Sequence, residues 1–272
     1  MSEFFGFYNF TKPGHGIVDD SHYHPFVRFW MRYGRNFMKL IRANLLYALI
    51  TLPVYVWLVS QINVITAQQS GQVTSLLGTI LLYYAVQMPV PLVIVLLVAA
   101  VVLLGPVSAA LTYAAIDCAW DRPGLFWSRI WSALKSNWKQ ALPVGLMDFF
   151  GMFATLYYYV DGRAVFGGFG VALQIMWTII GVIYLMIRVY ILPVMVTIKL
   201  PFAALVKNCL ILSILKPIRP LAVILIAALL GICCSVADII LVPAFMYSFV
   251  AYTAAFLTKP VIDEYLIQNT DQ

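Results

Sequence analysis

The chain has 272 residues, 63% of them hydrophobic and 10% charged, with a formal net charge of +6 and a mean hydropathy of +0.92. Soluble domains run near half apolar and about a quarter charged, so these values exclude an ordinary soluble globule. So much apolar bulk with only four cysteines also excludes a disordered chain and a disulfide scaffold. The class that remains is all-α: a polytopic membrane helical bundle, each span needing about 20 apolar residues.

Residues 1–24 are polar, carrying Lys12, His15, Asp19, Asp20, His22 and His24 before any long apolar run. They are expected to form a cytoplasmic tail, with the first span an uncleaved anchor rather than a secretory signal. Residues 25–258 are expected to form a single transmembrane domain, and 259–272 a cytoplasmic C-terminal tail. Apolar continuity predicts about six spans: Leu40–Ser60, Met88–Ala115, Ala141–Val160, Gly168–Leu192, and two sharing Leu221–Leu257 with a break near Ser235–Asp238. The alternative is five spans, with that last stretch read as one span and a re-entrant arm.

Basic residues orient the bundle. Arg28, Arg32, Arg35, Lys39 and Arg42 precede the first span; Arg122, Arg129, Lys135 and Lys139 separate the second from the third; Lys199, Lys207, Lys216 and Arg219 separate the fourth from the fifth. The opposite side receives Arg163, and the loop 61–87 has no formal charge. The positive-inside rule then predicts both termini in the cytoplasm of a multi-pass cell-membrane protein.

Two cytoplasmic segments read as interfacial amphipathic helices. Phe26, Trp30, Tyr33, Phe37 and Leu40 recur at helical spacing, and the five basic residues from Arg28 to Arg42 follow the same spacing about 200° around the helix. That helix is expected to lie in the headgroup layer and continue into the first span, its charge serving anionic lipid rather than nucleic acid. In the second segment Asp121 is expected as N-cap, with Pro123 in the first turn. Trp127, Ile130, Trp131, Leu134 and Trp138 form one face there, and Arg129, Ser132, Lys135 and Lys139 the other. A third segment, 200–215, is short, is expected to be kinked by Pro201, and should lie half-buried.

Tyr8–Val18 (YNFTKPGHGIV) is similar to the N-terminal signature of the YesL-like integral membrane proteins of Gram-positive bacteria. Asn36–Tyr47 followed by Leu52-Pro53 resembles that family's first span. Gly105-Pro106 with Ala109–Leu111, then Phe126, Lys135, Asn137 and Trp138, resembles its second span and following loop, and Lys207-Asn208 with Leu210–Leu212 the segment before its fifth. The resemblance implies a helper in sugar uptake, because members are often encoded beside carbohydrate ABC importers. It carries over no catalytic residues.

No nucleophile–base arrangement, zinc signature or glycine-rich phosphate loop occurs, and every histidine precedes the first span. A non-enzyme with no cofactor and no metal is therefore expected. Cys118, Cys209, Cys233 and Cys234 lack ligand spacing and read as packing residues. Asp148 and Arg188 fall inside expected spans on consecutive antiparallel helices, where each is costly unless paired. They form either a gated polar site or proton-responsive carboxylate, or a static pair locking two helices, or Arg188 snorkels to lipid phosphates. Asp238 is expected to cap a turn, and Tyr83, Tyr84 and Tyr157–Tyr159 to join an interfacial belt. Prolines 53, 89, 91, 106, 143, 193 and 243 are expected to kink their helices.

The resemblance, with the absence of a catalytic motif, implies a non-enzymatic membrane accessory subunit of a carbohydrate ABC importer. Its expected neighbours are the bilayer and importer permease subunits, with Trp127, Trp131 and Trp138 the candidate partner contact. An independent small-molecule carrier using Asp148 and Arg188, or a membrane scaffold or regulator, are the alternatives.

Overall fold

The computed structural model describes residues 20, 22–70, 90–122, 126–166, 169–237 and 243–267. Among these there is no strand. The helices are α1 (Pro25–Ser70), α2 (Val90–Ala119), α3 (Phe126–Phe166), α4 (Gly170–Thr197), α5 (Phe202–Leu215), α6 (Ile218–Ala237) and α7 (Pro243–Ile262), followed by a π-helical turn, Asp263–Ile267. The Tyr8–Val18 motif, Asp19, Tyr83, Tyr84, Pro123 and Asp238 lie outside the described residues, as do the side chains of Tyr157–Tyr159.

Helix α1 starts where its chemistry dictates. His24 precedes it and its Nδ1 accepts the amide of Phe26 at 3.3 Å, while Pro25 occupies the first helical position, where a missing N–H costs nothing. The helix then continues unbroken for 46 residues, about 69 Å at the usual rise. The amphipathic segment thus continues into the first long apolar helix as expected, and the described helix reaches Ser70, past the expected limit near Ser60. A straight helix of this length is more than twice the hydrocarbon thickness of about 30 Å.

Helices α2 and α3 make the closest pairing. Ala109, Ala110, Ala114 and Ala115 are buried on α2 and Ala133, Ala141 and Val144 on α3. A Cβ on Gly105 would overlap the carbonyl of Ala141, so only glycine lets the two backbones approach this far. The Gly-Pro pair read as a family motif thus has a local physical reason.

Helix α7 packs against α1, α2 and α6, and α4 against α3 and α5. One large core cluster joins them through Leu40, Ile116, Trp120, Tyr190, Val194, Leu205, Tyr252 and Ile262. The described residues of 218–262 lie in two helices, Ile218–Ala237 and Pro243–Ile262. Helix α7 also runs past the expected boundary at 258, burying Val261 and Ile262.

Helices α2, α3 and α4 continue through Pro106, Pro143 and Pro193, so these prolines do not divide their helices. Pro201 stands just ahead of α5 in an extended conformation; it starts that helix instead of kinking it. The sharp bend falls between α5 and α6, which meet at 91°.

Among the described residues α4 alone is by itself long and apolar enough to cross a membrane, and α5 with α6 qualifies only if counted as one broken span. Helix α4 exposes Val171, Ile175, Met176, Ile179, Ile180 and Ile183, and α6 exposes Leu221, Leu225, Leu229 and Ile232 at successive turns. Apolar faces of this extent are unusual on a soluble monomer. The described residues therefore form an all-helical structure with no strand and with at least one membrane-capable helix.

Candidate functional site

Three places hold the polar and aromatic groups singled out by the sequence. The first lies between α3 and α4. Arg188 Nε donates to both oxygens of Asp148 at 2.8 and 2.9 Å, and Nη2 donates to Oδ2 at 2.6 Å. Tyr184 adds its hydroxyl as a donor to Asp148 Oδ1. Tyr184 and Arg188 stand four residues apart, hence on one face of α4. Both side chains of the ion pair are only 16% exposed.

The depth of this cluster follows from a neighbouring contact. Gln140 Nε2 donates to the carbonyl of Leu200 at 2.6 Å, which levels α3 with the end of α4. Asp148 lies eight residues beyond Gln140, about 12 Å along the helix. With three bonds from the guanidinium and one from a phenol, the carboxylate is closed off. The expected approach of Asp148 and Arg188 is thus observed, and Tyr184 completes it. The signal that could have found Tyr184 was its position one turn from Arg188.

The second place gathers charges at the end of α2. The turn after α2 is a Schellman motif: Asp121 has φ 56°, and the amide of Arg122 donates to the carbonyl of Asp117 at 2.9 Å. Aspartate tolerates this left-handed conformation better than most residues, and its carboxylate accepts from Arg35 at 3.0 Å. Asp121 therefore ends α2 and is not the N-cap of α3, which begins five residues later.

Arg32 and Asn36 of α1 reach the last carbonyls of α2. Arg32 Nη1 donates to Ala119 at 2.8 Å and Asn36 Nδ2 to Cys118 at 3.4 Å, complementing the negative end of the helix dipole. The rest of the Arg32 fork holds Asp20, and Arg35 joins the same carboxylate at 3.3 Å. Asp20 is buried, and the bonds donated by Arg32 hold its carboxyl below the ordinary value against the opposing effect of burial. The expectation that this basic stripe lies free for lipid is corrected for Arg32 and Arg35: both turn inward, because Asp20, Asp121 and a helix C-terminus attract them.

Asp117 is the odd member. Its Oδ2 meets Arg129 Nε at 3.2 Å, yet its Oδ1 is buried without a hydrogen-bond partner. Burial pushes its pKa up to about 6, outweighing the pull of Arg129, Arg122 and Lys39. Arg129 is further engaged by the ring and hydroxyl of Tyr113. Cys118 and Cys209 are both buried, and burial pushes the Cys118 thiol up to about 12, which suits packing and not nucleophilic chemistry.

The third place is the first part of α3. Ile130 and Ala133 are buried against the bundle, whereas Trp127, Trp131 and Trp138 are 50%, 58% and 48% exposed. The stripe read as one apolar face is therefore divided. Lys135 and Lys139 do not stand opposite the indoles, either: their ammonium groups lie 5.4 and 5.9 Å from the Trp131 and Trp138 ring centres. Tryptophan and lysine share one outward surface here.

His22 and His24 sit at the start of α1, and among the described residues no group of three His, Cys, Asp or Glu side chains could hold a metal ion. Comparisons with protein-family models, curated proteins and solved structures find no match.

Proposed function

We propose that this chain is a six-span cell-membrane protein with both termini in the cytoplasm, and that it serves as a non-enzymatic accessory subunit of a carbohydrate ABC importer. The observation that carries the accessory role is the outward row of Trp127, Trp131 and Trp138. Large aromatics are enriched as anchors in protein interfaces and sparse on surfaces left in water. The importer as partner rests on the YesL-like resemblance alone. The closed Asp148–Arg188–Tyr184 cluster supports an accessory over a carrier, since every strong acceptor site of the carboxylate already faces a donor.

Two measurements test the reading. Purification of the native protein in mild detergent should recover importer permease subunits; recovery of the chain without any partner overturns the accessory role. Cysteine labelling in intact cells should leave Ser2→Cys and Gln272→Cys protected from impermeant reagent, and labelling of either from outside reverses the topology.

A further inference from the structure

Helix α3 changes chemistry along one outward face. From Phe126 to Met147 it carries Arg129, Lys135 and Lys139 and no acid. Arg129 turns inward to Asp117 and Tyr113, whereas Lys135 and Lys139 are exposed. Among the described residues no carboxylate pairs with either lysine. Their ammonium groups rest over the Trp131 and Trp138 rings, a contact that leaves N–H donors open to an anion. Positions 135, 139, 146 and 150 recur at spacings of four, seven and four and so share one face. Leu146 and Phe150 are 43% and 58% exposed. The face is cationic at one end and apolar at the other.

Helix α4 sets the depth of this face. Gln140, next to Lys139, donates to the carbonyl of Leu200, and Leu200 follows Lys199, the charge that closes the last apolar turns of α4. On the membrane placement proposed above, that level is where hydrocarbon meets headgroups. Measured along α3 from Gln140, Lys139 and Trp138 lie about 2 and 3 Å out, and Lys135 about 8 Å. A headgroup layer is about 5–8 Å deep, so all of them fall within it. Leu146 and Phe150 lie about 9 and 15 Å down, in hydrocarbon. Trp131 and Trp127, about 14 and 20 Å out, clear the layer and stay open to a protein.

A phospholipid with net negative charge matches this order of groups. Its phosphate meets the two ammonium ions, its glycerol backbone the amphipathic indole of Trp138, and an acyl chain the Leu146 and Phe150 side chains. A zwitterionic lipid brings its own cation to the same place, where the lysines repel it. A soluble anion uses the lysines but not the apolar steps below them, and an acidic protein segment has no place at the depth of Phe150. Arg32 and Arg35, the expected lipid ligands on α1, are committed to Asp20 and Asp121.

We propose that Lys135, Trp138 and Lys139 form a binding site for one anionic phospholipid of the inner leaflet, its acyl chain packed along Leu146 and Phe150. This rests on the membrane placement proposed above but not on the importer. Full-length protein is reconstituted into phosphatidylcholine vesicles holding a minor fraction of brominated lipid, either phosphatidylglycerol or phosphatidylcholine. Trp138 emission is read as native signal minus that of Trp138→Phe, and Trp177 of α4 is read the same way with Trp177→Phe. Brominated phosphatidylglycerol should quench Trp138 at roughly 25-fold lower fraction than brominated phosphatidylcholine, each lysine adding about fivefold. Lys135→Gln with Lys139→Gln should bring the two lipids to near parity, and Lys135→Arg with Lys139→Arg should keep the preference. Trp177 should be quenched by both lipids alike in every variant. Equal quenching of native Trp138 by the two lipids, a preference that survives the glutamine pair, or its loss to soluble glycerol phosphate overturns the site. Trp177 untouched by either lipid overturns the membrane placement itself, which separates the two failures.

Discussion

The Asp148 and Asp117 carboxylates each face an arginine across neighbouring helices, yet their surroundings differ. Asp148 has both oxygens bonded, by Arg188 and Tyr184. Asp117 has one oxygen on Arg129 and the other buried and orphaned. The first arrangement is complete and has one stable state. The second is incomplete, and its charge state depends on pH. A pair is a lock only when all of its polar atoms are satisfied; otherwise burial keeps one proton within reach of neutral pH.

Breaking the lock should have the largest effect. Asp148→Ala strands the Arg188 guanidinium and is expected to cost about 3–5 kcal/mol, read as a fall in the detergent unfolding midpoint. Asp148→Leu with Arg188→Met should recover most of that loss, because no buried charge remains. A single variant as stable as the native protein would mean that the pair is wet and not structural.

Next in size is Arg32→Gln, which removes the ionic fork from Asp20 and weakens the cap on α2. Hydrogen bonds to charged groups contribute about 1.5–3 kcal/mol. Exchange of amides at the start of α1 should rise while those of α3 stay protected. Uniform exchange across both helices would show that Arg32 does not localise the tail.

Asp117 sharpens the contrast through pH. Its folded pKa, about 6, lies above the ordinary 3.8, so the folded state binds the extra proton between these values. Stability should therefore fall as pH rises through that window, with the burial penalty absent below it and complete above it. Asp117→Asn should flatten this part of the pH–midpoint curve. An unchanged slope would assign the titration elsewhere.

The smallest effect belongs to Asp121→Gly. Glycine relieves the left-handed backbone but loses Arg35, and the two changes, each under about 1 kcal/mol, oppose one another. Asp121→Ala keeps neither advantage and should be the less stable variant. Equal midpoints for the two would remove the conformational argument at this turn.

How far these features were readable in the sequence depended on range. Asp148 and Arg188 stand out in apolar stretches, and antiparallel neighbours at similar depths can be paired by counting turns. Helix positions also follow apolar continuity, as Gly170–Thr197 does. The network around Arg32 could not be counted this way, because Ala119 lies 87 positions along the chain and no local period announces it. The amphipathic pattern of α1 gave two faces, and only packing shows Arg32 and Arg35 of the basic one turned inward. Asp121 failed as an N-cap because a helix end and a helix start use similar polar residues. Trp127, Trp131 and Trp138 share a stripe with Ile130, and only the fold separates exposed from buried members.

The contrast between a sealed interior pair and an outward aromatic surface is tested most directly by partner retention in two double variants. The protein is purified from its native membrane in mild detergent, once with Trp127→Ala and Trp131→Ala, once with Asp148→Leu and Arg188→Met. The account predicts that the tryptophan variant inserts normally and loses its partner, while the ion-pair variant keeps it. Retention by the tryptophan variant with loss from the ion-pair variant would contradict it.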